Sequence, residues 1–152
     1  MTKNDPSLRG ECPVARALEA IGGRWSLMII RDAFDGIRRF SELQKSLGVA
    51  KNILASRLKT LVKAGVFEIC PASDGSAYKE YVLTDKGRAV FPIMLSMRQW
   101  GERFEFKPNE ARSVLVDNAT GLALMPMVAR SSSGQPVEPS DCHRVRIADD
   151  SA

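Results

Sequence analysis

The chain is poor in the residues on which most enzyme and metal chemistry depends. Among 152 residues there is one histidine, His143, and three cysteines, Cys12, Cys70 and Cys142. The cysteines are too few and too far apart for a disulfide framework, and no CxxC pair is present to grip zinc. A histidine-based metal site or a Cys-His nucleophile pair would have to draw on His143, near the C-terminus. The sequence has no glycine-rich phosphate loop, no serine elbow and no carboxylate pair set by a recognisable motif. The expectation is a non-enzyme with no metal and no cofactor; a small hydrolase using Cys12 or Cys142 lacks a motif. Also missing is any run of about 18 apolar residues, the length a membrane-spanning helix needs. Residues 1–10 are polar, without the apolar stretch of a signal peptide. The expected setting is therefore the reducing cytoplasm, with no membrane partner.

One region is short of negative charge. Residues 38–63 hold Arg38, Arg39, Lys45, Lys51, Arg57, Lys59 and Lys63 against a single acid, Glu42. That local excess is larger than the +4 of the whole chain, so the location of the charge says more than its total. A solvated helix face normally intersperses both signs, which this segment does not. Leu54, Leu58 and Leu61 recur at helical spacing and define a buried stripe, and the other side then shows Asn52, Ser56, Lys59 and Lys63. Amide, hydroxyl and ammonium groups opposite an apolar stripe suit a helix lying in the major groove of DNA. Asn52 and Ser56 are the candidate base readers. Lys59 and Lys63 suit phosphates or bases, while Lys51 and Arg57 flank the face and suit the backbone. Arg38 and Arg39 are candidates for phosphate, with pairing of Arg39 to Asp32 or Asp35 as the alternative.

With 44% hydrophobic residues the chain can bury one proper core. Val14, Ala17, Leu18 and Ile21 predict a helix over residues 13–21 that starts at Pro13 and stops at Gly22-Gly23. Residues 25–34 are apolar on most sides and read as a central helix buried by its neighbours. A short helix follows, capped by the Ser41 hydroxyl and closed by Gly48, and the DNA-facing helix runs from near Ala50 to Ala64, with Gly65 after it. The period then changes to alternation in residues 66–70 and 78–83 around Ser73-Asp74-Gly75-Ser76, a β-hairpin. A helix pair followed by a hairpin is the order of a winged helix, whose hairpin tip reaches the DNA backbone or minor groove. Ser76 and Lys79 are the wing's candidate contacts, a plain solvated hairpin being the alternative. Thr84 caps a long helix expected to continue to Phe104, with Val90, Ile93, Met94, Met97, Trp100 and Phe104 along one face. That is more apolar surface than a small winged helix needs, and it points to a partner helix. Residues 113–117, 122–128 and 142–147 read as further strands. The fold class is mostly α with a small β part. A winged helix-turn-helix domain over residues 1–106 is followed by a β-rich extension over residues 107–148 and a disordered tail, 149–152.

Several motifs occur together in order: Cys12-Pro13, Ile21-Gly22-Gly23-Arg24-Trp25, Ile30-Arg31-Asp32, Arg39-Phe40-Ser41-Glu42-Leu43, LASRLKTL at 54–61, Gly65, and Tyr81-Val82-Leu83-Thr84-Asp85-Lys86-Gly87. In this the chain closely resembles the HxlR-type winged helix-turn-helix regulators of bacteria, over residues 12–104. The resemblance implies a homodimeric transcriptional regulator with one winged helix per half-site. It places dimer contacts on the first and last long helices, here Val14, Leu18, Val90, Ile93, Met94, Met97, Trp100 and Phe104. Some branches of that family sense electrophiles or oxidants through a cysteine just before the first helix, a position Cys12 matches. The positive end of a helix dipole favours such a role, and a small apolar residue packed in the dimer is the competing reading.

These readings converge on a sequence-specific DNA-binding regulator. It is expected to be a homodimeric repressor whose partners are double-stranded DNA and a second copy of itself. Its operator has inverted symmetry with half-sites about 34 Å apart. A small aromatic or electrophilic effector, or oxidation of Cys12, would change the packing of the subunits. The competing reading is a winged-helix protein-interaction module without DNA-binding specificity.

Overall fold

The computed structural model describes Gly10, residues 12–145 and Ile147, so the tail expected at 149–152 lies outside the described residues. The chain divides into two compact units, Met1–Met94 and Leu95–Ala152. The first contains α1 (Pro13–Ile21), α2 (Arg24–Phe34), α3 (Phe40–Leu47) and α4 (Lys51–Lys63). A hairpin of β1 (Phe67–Pro71) and β2 (Lys79–Leu83) and the short α5 (Asp85–Arg88) follow. Helix α6 (Phe91–Phe104) begins in this unit and continues into the second.

Local sequence accounts for most of these boundaries. Pro13 stands in the first turn of α1, where its missing N–H is not needed, and the helix stops at Gly22. Helix α2 is the centre of the unit: Ile29 and Ile30 are fully buried, with Trp25, Leu27 and Phe34 packed against the same core. Helix α4 contributes Leu54, Leu58 and Leu61, each at most 1% exposed, as its spacing predicts. Gly48 closes α3 and Gly65 follows α4, both in the left-handed region at φ 61° and 76°. The antiparallel hairpin pairs Phe67 with Leu83 and Pro71 with Lys79, and Val66, Phe67 and Leu83 complete the core.

Two helices begin or end differently from the sequence expectation. The Ser41 hydroxyl does not cap α3; Arg39 is the N-cap residue and has no side-chain cap bond. The backbone just before α3 is held extended, because Tyr81 N donates to Arg38 O at 2.8 Å, and the helix starts as soon as that contact ends. Thr84 does cap the next helix, accepting from Gly87 N at 3.1 Å, but that helix ends at Arg88 and a new one starts at Phe91. Pro92 explains the break: it offers no N–H to the carbonyl four residues back, and its ring crowds that carbonyl.

Beyond α6 the one helical element among the described residues is a short 3-10 turn, Pro139–Asp141. In place of the strands expected over residues 107–148, the described residues form two isolated antiparallel bridges, Val116–Ala123 and Arg130–Pro136. Pro126 interrupts the candidate strand at 122–128, where it removes a ladder donor. The turn at residues 118–121 is well made: Asp117 Oδ1 accepts from Ala119 N at 2.9 Å and Asp117 O from Gly121 N at 2.7 Å. Gln99 on α6 holds this unit together locally, donating to Met125 O at 3.0 Å and accepting from Met127 N at 2.7 Å. Among the described residues no helix is long and apolar enough to cross a membrane.

Candidate nucleic-acid interface

Helices α3 and α4 meet at the tight turn Gly48-Val49-Ala50, which is anchored by the buried side chain of Val49. With Leu54, Leu58 and Leu61 committed to the core, α4 turns Lys51, Asn52, Ser56, Arg57, Lys59 and Lys63 to solvent, and all six are exposed. Among the described residues, none of the four cations in this set takes part in an ion pair. They form an unneutralised positive face with an amide and a hydroxyl between them, which is the chemistry a phosphate backbone and base edges select. Thr60 lies among them, and its hydroxyl is spent on Ser56 O at 3.1 Å.

The two arginines before α3 are placed differently. Arg38 Nη1 lies 3.7 Å from Glu80 Oε2, and Arg39 Nε lies 3.9 Å from Glu80 Oε1. Arg39 also forms a close ion pair with Asp74, reaches Ser76 Oγ at 3.4 Å and stacks over Tyr78 with its guanidinium carbon 5.3 Å from the ring centroid. The partners expected for Arg39, Asp32 or Asp35, are thus replaced by acids of the hairpin, while Asp32 is held by the neighbouring Arg31. The Asp74 carboxyl is held well below the usual carboxylate range, by hydrogen bonds from the Ser76 hydroxyl and backbone N–H and then by Arg39. The same contact raises the affinity of Arg39 for its proton. Ser76 therefore faces Arg39 within the wing, and Lys79 is exposed at the start of β2. Sequence reading passed over Asp74, Tyr78 and Glu80. The one available signal was opposite charge: two arginines before α3 and two acids in a hairpin that must pack beside them.

The apolar residues assigned to a dimer face separate into two groups. Val14 and Leu18 on α1 are 67% and 61% exposed, and on α6 Ile93, Met97, Trp100 and Phe104 are exposed as well. Val90, by contrast, is 5% exposed and Met94 packs against the core, so these two are already used inside the first unit. Cys12 is the N-cap residue of α1, its sulfur accepting from Ala15 N at 3.5 Å, and it is partly buried. Cys70 is also partly buried and Cys142 is exposed.

Residues 20–109 match a protein family described as HxlR-like helix-turn-helix. Over 95 residues the chain is 43% identical to Rv3095 of Mycobacterium tuberculosis, described as an uncharacterised helix-turn-helix-type transcriptional regulator. The match covers 62% of this chain and 60% of that protein, so the chain spans about three fifths of the length of this relative. Among solved structures, PA1607, described as a candidate transcription factor, superposes with a TM-score of 0.87 at 48% identity, covering 93% of this chain and 99% of that one. HypR, described as a redox regulator and captured in its oxidised form, superposes with a TM-score of 0.55 at 32% identity, covering 60% of this chain and 96% of its own.

Proposed function

The chain belongs to the HxlR-like helix-turn-helix family, and on that premise we propose that it regulates transcription as a homodimer that binds DNA sequence-specifically. One observation carries the reading: α4 exposes Lys51, Arg57, Lys59 and Lys63 without acidic partners among the described residues, around Asn52 and Ser56, on a helix seated by three buried leucines. In the reading we adopt, α4 enters the major groove, Asn52 and Ser56 contact base edges, and the cations contact phosphates. The hairpin wing lies along the adjacent backbone with Lys79 facing it. Val14 and Leu18 of α1, and Ile93, Met97, Trp100 and Phe104 of α6, supply the dimer contact. An inverted-repeat operator follows from two-fold symmetry, and the regulation proposed is repression by occupying a promoter.

The test is the salt dependence of DNA binding. Each phosphate neutralised adds about 0.9 to the slope of log affinity against log salt, so Lys59→Ala and Lys63→Ala each weaken binding and flatten that slope by about this amount. Unchanged affinity and slope in both variants remove these lysines from the interface. A parent protein that protects no duplex at low salt favours the protein-interaction module instead.

Cys12 is the proposed point of control. Its sulfur caps the helix that carries Val14 and Leu18, so oxidation of the thiol by a peroxide, which gives a sulfenic acid and water (from hydrogen peroxide), replaces that cap with a bulkier, polar group beside the proposed dimer contact. The likeness to a redox regulator supports this assignment. Hydrogen peroxide is expected to lower DNA binding by the parent but not by Cys12→Ala. Equal loss in both rules Cys12 out as the switch.

A further inference from the structure

We propose that Glu80, with Arg38 and Arg39, forms a clasp that fixes the wing against the helix-turn-helix, which makes Arg39 a wing-positioning residue and not a phosphate contact. The proposal deepens the DNA-binding reading and rests on it for its affinity measurements. Glu80 is 5% exposed on β2, and a carboxylate withdrawn from water persists only where donors and positive charge surround it. Its Oε1 accepts from Ser73 N at 3.3 Å and from Ser73 Oγ at 3.1 Å, and Arg38 and Arg39 supply the charge from the other side. Arg39 then continues along the hairpin, meeting Asp74, Ser76 and Tyr78.

One guanidinium thus grips the wing in three chemical modes: ion pair, hydrogen bond and stacking. A guanidinium reaches these partners at once from separate nitrogens, whereas the single ammonium of a lysine cannot span the same set. The backbone adds a fixed point where Tyr81 N donates to Arg38 O at 2.8 Å. For a phosphate to claim Arg39 it would have to displace two carboxylates, whereas the cations of α4 have no ion-pair partner to give up among the described residues. The cleft between the two parts is lined with charge of both signs, Glu42 included, and offers no net attraction for a polyanion.

The experiment uses the full chain and the duplex that the parent enriches from a random-sequence pool. Glu80→Gln, Arg39→Gln and Arg39→Lys are compared for affinity across salt and for amide hydrogen exchange. A clasp predicts that Glu80→Gln weakens binding roughly fivefold although it removes a negative charge, and that Arg39→Lys weakens it nearly as much as Arg39→Gln, all with an unchanged salt slope. The amides of Ser73, Gly75 and Ser76 exchange faster in all three variants, while Leu54 and Leu58 on α4 keep their protection. Tighter binding by Glu80→Gln overturns the proposal. So does parent-like binding by Arg39→Lys together with a slope reduced by about one in Arg39→Gln, the signature of a phosphate contact. Unchanged exchange in the wing overturns it as well. Should Glu80→Gln fail to fold, the two Arg39 variants decide both measurements. If the parent enriches no duplex, the DNA-binding reading fails and hydrogen exchange alone decides the clasp.

Discussion

At the scale of single residues, charge has two different uses in this protein. Asp32 is nearly fully buried, and its Oδ1 takes both Arg31 Nε at 2.9 Å and Arg31 Nη2 at 2.6 Å, while Oδ2 has no partner among the described residues. Removing Arg31 strands a buried carboxylate, so Arg31→Ala is expected to lower stability by about 2–3 kcal/mol, read by urea unfolding. A loss under about 0.5 kcal/mol, the range of ordinary surface substitutions, contradicts this. Asp74 is the exposed counterpart. Its carboxyl is depressed below the ordinary value in the folded state, so the stability it confers is present at neutral pH and is lost only as pH falls through that depressed value. Wing amide protection is therefore expected to stay flat from about pH 5 to 9 and to decline only in acid below about pH 4. A decline centred between pH 6 and 7 would assign the protection to some other group.

At the scale of elements, most boundaries could be read from the chain because their causes are local. Leu54, Leu58 and Leu61 set the buried side of α4 by spacing alone, and Pro13 and Gly22 bound α1. The partners of Arg39 lie some 35 residues further along the chain, and no local pattern reports them. The break before α6 had its signal in Pro92, hidden within a continuous apolar face. Beyond α6, Val, Leu and Met in alternation suggest strands, whereas the described residues pair there only at single bridges, and Pro126 interrupts the run at 122–128. Packing between elements yields a separate prediction. A Cβ on Gly87 would sit 2.2 Å from Val66 O and 2.9 Å from Leu83 Cδ2, so α5 can approach the hairpin only with glycine there. Gly87→Ala is expected to destabilise the protein by about 2 kcal/mol, seen as a lower melting temperature. A melting temperature equal to the parent's would show that α5 yields freely.

At the scale of the whole molecule, the dimer proposed here depends on exposed apolar residues of two helices, and each can be tested alone. Leu18→Glu and Trp100→Glu are each expected to shift sedimentation from dimer to monomer and to lower operator affinity by about tenfold or more, because two half-sites no longer bind as one unit. Dimers that persist in both variants would place the contact elsewhere. Finally, the pairing of Arg38 and Arg39 with Asp74 and Glu80 has a consequence at long range. Because those arginines are neutralised within the fold, the uncompensated positive field in this part of the protein comes mainly from α4. In the DNA-binding reading proposed above, a protein diffusing toward DNA would be turned by that field before any contact forms, so that encounters begin with α4 foremost and the wing follows. In that same DNA-binding reading, the association rate would be steered by α4 and fall steeply with salt, whereas the residues of the wing would act chiefly on how long the complex lasts.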